Sequence, residues 1–160
     1  MSEPTTCLVY QCDASSIIPK GIPKQLIDLY DWADIYKQRE YKQGPNLTGS
    51  IVFSKKTKLN LIIVHMITMY KFRHPNTKGW FDSVDARIGW FTSCIESLKQ
   101  FLASQSDQII LKFIDYKSDK YFSPIWNACK SQISDIIMDS DIENVIGGRI
   151  LSIKSITQNR

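Results

Sequence analysis

The chain is 160 residues long, 43% hydrophobic and 22% charged, enough to enclose a core of its own and within the span of one domain. Its 20 basic and 16 acidic residues leave a formal charge of +4, a modest excess that does not diagnose nucleic-acid binding. The four cysteines, Cys7, Cys12, Cys94 and Cys129, lack the repeated pair spacing of a zinc site and read as reduced thiols, and no apolar run approaches the roughly 18 residues that span a bilayer.

One domain over residues 1–160 is therefore expected, with residues 1–6 as a flexible N-terminal segment. No basic segment leads into an apolar run at the start, so a cytoplasmic or nuclear setting is expected.

Cys7 to Gln11 reads as a short apolar strand. Gly21 to Tyr36 follows with Ile22, Leu26, Leu29, Ile35 and Tyr36 at largely helical intervals, Pro23 falling in the first turn and Asp31 able to interrupt the run. Gly44, Pro45, Asn46 and Gly49 make residues 42–50 a loop. Residues 50–54 form a candidate strand, residues 55–58 a polar turn, and residues 59–70 a strand whose Leu61-Ile62-Ile63-Val64 centre suits burial on both faces. After a turn at residues 73–79, Ser83 or Asp85 can cap a helix with an apolar stripe of Ile88, Phe91, Ile95, Leu98 and Leu102. Residues 108–114 supply another buried strand, residues 115–123 a polar loop, and residues 124–138 a helix with Ile125, Ala128, Ile133, Ile136 and Ile137 near one face. A turn at Gly147-Gly148 leads into an edge strand over residues 149–156. Strands alternating with helices in this order predict a three-layer α/β domain with a central mixed β-sheet.

Several residues carry chemistry that a binding site could use. Asp13 ends the first strand, where it can cap the loop, meet a ligand or act in catalysis. Lys20 and Gly21 precede a helix start, where backbone donors and a lysine can hold an anion or simply face water. His65 lies in an apolar strand, suited to buried structural use, ligand contact or acid–base work, and His74 sits in a loop. Tyr70 is either core or one wall of a cleft. Arg87 can pair with Asp85 at the helix start or recognise a ligand. Trp80, Phe81, Trp90 and Phe91 read as packing, with an exposed subset able to anchor a protein partner. The basic residues Lys55, Lys56, Lys58, Lys71, Arg73 and Lys78 form a solvated face, the rim of an anion site or a nucleic-acid track. The cysteines have no obligate base beside them and do not read as nucleophiles.

The run Tyr10 to Asp13 with Pro19 to Gln25, the segment Ile63-Val64-His65-Met66-Ile67-Thr68-Met69-Tyr70, and the blocks Asp85-Ala86-Arg87 and Trp90 to Cys94 resemble, in order, the blocks of small stand-alone macro domains. That branch includes compact viral, phage and ADP-ribosyl-hydrolase-like members, and the resemblance covers roughly residues 7–137. It implies a macro-like fold, a viral protein in contact with host partners, and ADP-ribose or a related phosphate metabolite as ligand. Carried over to this chain, it points to Asp13, Lys20, Gly21, Ile22 and Tyr70 as ligand-binding residues. Lys117 and Lys120 stand in the position of the second phosphate loop.

The chain departs from the family at informative places. Asp13 stands where the family has an asparagine, and an ionised carboxylate there accepts hydrogen bonds but repels phosphate. The second loop reads Asp115-Tyr116-Lys117-Ser118-Asp119-Lys120-Tyr121-Phe122, and no glycine occurs between Gly89 and Gly147, although close backbone approach to a diphosphate favours glycine. The expected function is accordingly a non-catalytic, remodelled macro-like binding or protein-interaction module. The alternatives are an ADP-ribose-binding domain, and an ADP-ribose phosphatase or de-ADP-ribosylating hydrolase in which Asp13 or His65 positions water. No cofactor or metal is implied, the expected partners are a protein or a nucleotide-like ligand, and neither nucleic acid nor membrane is expected.

Overall fold

A computed structural model of the chain describes residues 4–39, 47–75, 81–105, 108–115, 123–133, 142–145, 148–152 and 156–157. Among the described residues the strands are β1 (Thr5–Asp13), β2 (Ile51–Lys56), β3 (Leu61–Met69), β4 (Gln108–Asp115), β5 (Ile142–Val145), β6 (Gly148–Ser152) and β7 (Ile156–Thr157). The α-helices among the same residues are α1 (Gly21–Leu29), α2 (Val84–Ala103) and α3 (Ser123–Cys129).

The strands form one mixed sheet in the order β2-β3-β1-β4-β6-β5, with β7 pairing separately with β4. β1 lies parallel to both β3 and β4, whereas β2 is antiparallel to β3. The β-branched centre of β3, Ile62-Ile63-Val64, is buried as its composition predicts.

Layering follows from connection handedness. The crossover from β1 to β3 runs one way along the sheet and that from β3 to β4 the other, so two right-handed crossovers place α1 and α2 on opposite faces. On one face Phe53, Val64, Val9 and Phe113 make a row across β2, β3, β1 and β4. Phe101 of α2 covers one end of that row, 4.4 Å from Phe53 between ring centroids, and Trp126 of α3 covers the other, 6.5 Å from Phe113. The opposite face carries Val52, His65 and Tyr10. It is overlaid by α1 and by two short 3-10 turns, Asp31–Ala33 and Tyr36–Gln38.

Helix α2 has a local cause for each feature. Ser83 is its N-cap, its hydroxyl accepting the Ala86 N–H at 3.1 Å, an interaction that contributes about 1 kcal/mol. Phe91, Ile95, Leu98 and Leu102 return at helical spacing and are buried, each such side chain stabilising by roughly 1.5–3 kcal/mol. Gln132 donates to Thr92 at 2.9 Å, tying the 3-10 turn after α3 to this helix.

The chain differs from the sequence expectation in particular places. Thr5 and Thr6, expected in a flexible segment, are paired in β1 with Ile109 and Ile110 of β4. The first helix stops at Leu29, and Asp31 starts the first 3-10 turn. β2 runs on through Lys55 and Lys56, because both still pair with β3, and the turn begins at Thr57. In α3, Ile125 is buried as expected, but Ala128 is exposed and Trp126 is buried beside Ile125, and the α-helix ends at Cys129. The expected edge strand over residues 149–156 is two strands, and β6 is interior, paired with β4 and with β5, an unpredicted strand. The outer part of the third predicted helix, with Ile136 and Ile137, lies outside the described residues.

Candidate functional site

Neighbouring strands β1 and β3 send their following helices to opposite faces, so a crevice opens between the two loops at their carboxyl ends. In open α/β sheets this is the position where ligands are received. A cleft of about 350 Å³ occupies it. The loop after β1 contributes Ser15, Ser16, Ile17, Ile18 and Lys20, and the loop after β3 contributes Lys71, Phe72 and Arg73.

Both loops are held from beneath. A register shift at Cys12/Asp13 ends regular pairing, but Ala14 N–H still donates to Met69 O at 3.0 Å and Ser15 N–H to Tyr70 O at 2.9 Å. Asp13 is 1% exposed. One carboxylate oxygen accepts the Ser16 N–H at 2.7 Å and the other accepts the Tyr36 hydroxyl at 3.1 Å. Arg39 completes the support, donating to Ser16 O at 2.6 Å and Asp13 O at 3.1 Å, with its guanidinium 4.3 Å from the Tyr36 ring centroid.

The loop after β3 rests on a second buried acid–arginine unit. Asp82 accepts the backbone N–H groups of Tyr70 and Lys71, both at 3.2 Å, and the Arg87 Nε–H at 2.8 Å. Arg87 also donates to Arg73 O at 2.9 Å and Lys71 O at 3.2 Å. The guanidinium thus fixes the backbone on both sides of Phe72 while remaining fully buried. Its carboxylate partner is Asp82, not the expected Asp85, which lies exposed in the first turn of α2.

Gly21, the first residue of α1, has φ +63°, and a Cβ placed there would sit 2.7 Å from Cζ of Phe72. Glycine is required twice over, by the left-handed backbone and by the ring against it. The site residues expected from sequence divide accordingly. Lys20 lines the cleft, Gly21 seats one wall of it, and Ile22 is 6% exposed in the core. The Asp13 carboxylate faces the interior. Tyr70 is half-buried with its ring 5.0 Å from Phe81, and its backbone supports the neighbouring loop. Lys117 and Lys120 lie outside the described residues, as do Trp80, Tyr121 and Phe122.

Lys71 and Arg73 stood in the basic cluster, but only the sheet order brings them opposite Lys20. Ser15, Ser16, Ile17 and Phe72 were not singled out, since nothing in their local spacing distinguishes a cleft wall from a surface turn. Phe81, one of the aromatics read as packing, lies between Tyr70 and Trp90 at 5.0 and 6.0 Å.

His65 is fully buried on β3, its Nδ1 hydrogen-bonded with the Tyr10 hydroxyl and its Nε2 with Ser54 Oγ at 2.9 Å. Burial, aided by the Arg39 charge, lowers its pKa to about 3, so the ring is neutral. All four thiols are buried. Burial raises Cys7 and Cys94 to about 12 and Cys129 to about 11, and pushes Cys12 higher still. Among the described residues no group of three or more His, Cys, Asp or Glu is placed to hold a metal ion, and no helix is long and apolar enough to cross a membrane. Neither family models nor curated proteins give a match to this chain.

Proposed function

We propose that the chain is a remodelled macro-like domain acting as a non-catalytic binding module, and that it receives its ligand in the cleft between the loops after β1 and β3. The observation that carries this reading is the convergence of Lys20, Lys71 and Arg73 on one cleft at the carboxyl ends of two parallel strands. Opposed cations on loops with fixed backbones suit a phosphate-bearing metabolite, and the resemblance of the sequence makes ADP-ribose the first molecule to try. A protein segment as occupant is the second form of the reading, favoured by the 40% and 70% exposure of Ile17 and Ile18 on the lip.

Hydrolysis is less well supported. The two groups considered for positioning water, Asp13 and His65, are each enclosed and hydrogen-bonded within the protein. A general base has to reach the proton that it takes.

Calorimetric titration of the purified chain with ADP-ribose tests the proposal. Saturable binding that is lost in the folded Lys71→Ala/Arg73→Ala variant is the expected result. Binding that survives both substitutions would place the ligand elsewhere. No heat at millimolar ADP-ribose would remove this ligand from the reading.

A further inference from the structure

β2 ends the sheet order, paired on one side with β3 and with no strand on its other side among the described residues. The Ile67 N–H donates to Ser50 O at 3.0 Å, which sets the phase of the antiparallel ladder. Val52, Ser54 and Lys56 exchange hydrogen bonds with β3, whereas Ile51, Phe53 and Lys55 turn their backbone N–H and C=O groups outward. The side chains beside that row are open as well. Phe53 is 40% and Val52 36% exposed, one on each face of the sheet, and Lys55 and Lys56 follow in exposed positions.

Charge is segregated along the same stretch. From residue 41 to residue 81 the chain has no Asp or Glu, but it has seven of the 20 Lys and Arg residues. Lys55, Lys56 and Lys58 end β2 and enter the turn after it, all exposed and none in an ion pair among the described residues. Lysines at a sheet edge guard it against pairing with apolar strands. The same charges select for a strand that carries the opposite sign.

We infer that the outer edge of β2 is a docking site for an extended acidic segment of a partner protein, which adds to the sheet as a further strand. The inference goes beyond the cleft reading and does not depend on it. In the antiparallel arrangement, the more stable per residue, the segment begins against Lys56 and Lys55 and ends against Phe53 and Val52. The recognised pattern is therefore a run of acids followed by β-branched or aromatic residues, with main-chain hydrogen bonds supplying affinity and side chains selecting sequence. A second copy of this chain answers the edge less well, since it doubles the lysines there. A nucleic-acid strand also answers it less well. Its phosphates neutralise lysines but bring acceptors alone to a backbone row that alternates donors with acceptors.

Fluorescence polarisation of the full chain with a labelled peptide, Glu-Glu-Glu-Thr-Val-Tyr-Val-Thr, tests the inference. Saturable binding is expected, weaker by at least about tenfold for the counterpart with Lys in place of Glu and for the Lys55→Glu/Lys56→Glu variant. Both replaced residues are exposed, so the variant should keep the melting temperature of the parent. Peptides N-methylated at alternate residues separate strand addition from charge attraction and need no variant. One alternate set blocks the N–H groups that face β2 and is expected to abolish binding, whereas the other set faces away and is expected to preserve it. Equal binding of the two methylated peptides, equal binding of the Glu and Lys peptides, or no binding of the Glu peptide would each overturn the inference. So would a dimer in sedimentation that competes with the peptide, which would give the edge to a second copy. A thymidine oligonucleotide that binds as tightly as the peptide, and is lost in the same variant, would overturn it in favour of a phosphate backbone. Lys71→Ala/Arg73→Ala alters the cleft and is expected to leave peptide binding unchanged, so the cleft and the edge stand or fall separately.

Discussion

Arg87 and Asp82 meet at 2.8 Å with both side chains buried, and between them they hold four backbone groups of the loop after β3. A buried pair of this kind contributes less by its own attraction than by what its loss exposes. Replacing Arg87 with Met leaves the Asp82 carboxylate without its cation and two carbonyls without donors. The expected cost is about 3–5 kcal/mol in urea denaturation, with smaller coupled losses when Asp82→Asn is added, because the two changes remove one shared interaction. Strictly additive losses would show that the pair does not act as a unit.

How far the sequence revealed these relationships depends on whether they are local. The four-residue apolar centre of β3 and the 3.6-residue stripe of α2 are written in composition and spacing, and both elements are present. The partner of Arg87 was misread, although one local rule could have corrected it. Residues two apart on a helix do not face one another, so Asp85 is badly placed, whereas Asp82, just before the N-cap and with φ +55°, meets Arg87 at 2.8 Å. The support under the first loop was beyond local reading. Tyr36 and Arg39 come to Asp13 from 23 and 26 residues away, and no periodicity encodes that meeting. The buried Asp13 carboxylate follows from it, so a strand-end acid that looked available to a ligand is part of the scaffold.

Two glycines should respond in opposite directions. Gly21→Ala forces a side chain into the left-handed region, at about 1–2 kcal/mol, and presses a methyl against Phe72. Gly89 lies inside α2 with nothing within 4 Å of a placed Cβ, so Gly89→Ala is expected to stabilise by about 0.5–1 kcal/mol through helix propensity. Thermal melts of the two variants beside the parent check this. A lower melting temperature for Gly89→Ala would contradict the open surroundings of that position.

The thiols should be silent in the folded protein. Each of the four is buried and has its pKa raised by burial, and the thiolate is the reactive form. An aromatic disulfide reagent at pH 8 is expected to react with none of them within minutes, and with all four after denaturation. Rapid stoichiometric labelling before unfolding would mean that at least one thiol is accessible.

The sign of the pH dependence follows from His65. Its folded pKa of about 3 lies below the ordinary 6.5, chiefly through burial and secondly through Arg39, so between these values the unfolded chain holds a proton that the folded chain refuses. Stability from this group is complete above about pH 6.5. It is lost as the pH falls toward 3, at up to about 1.4 kcal/mol per pH unit, and below that value the slope vanishes because both states are protonated. Protonation would also disturb the bonds with Tyr10 and Ser54, which use the ring nitrogens in the neutral state. In His65→Gln the group no longer titrates, and although the variant is less stable at pH 7, its stability should fall less between pH 6.5 and 4 than that of the parent. Urea midpoints measured across that interval decide the matter, and parallel curves for the two proteins would assign the acid sensitivity to carboxylates instead.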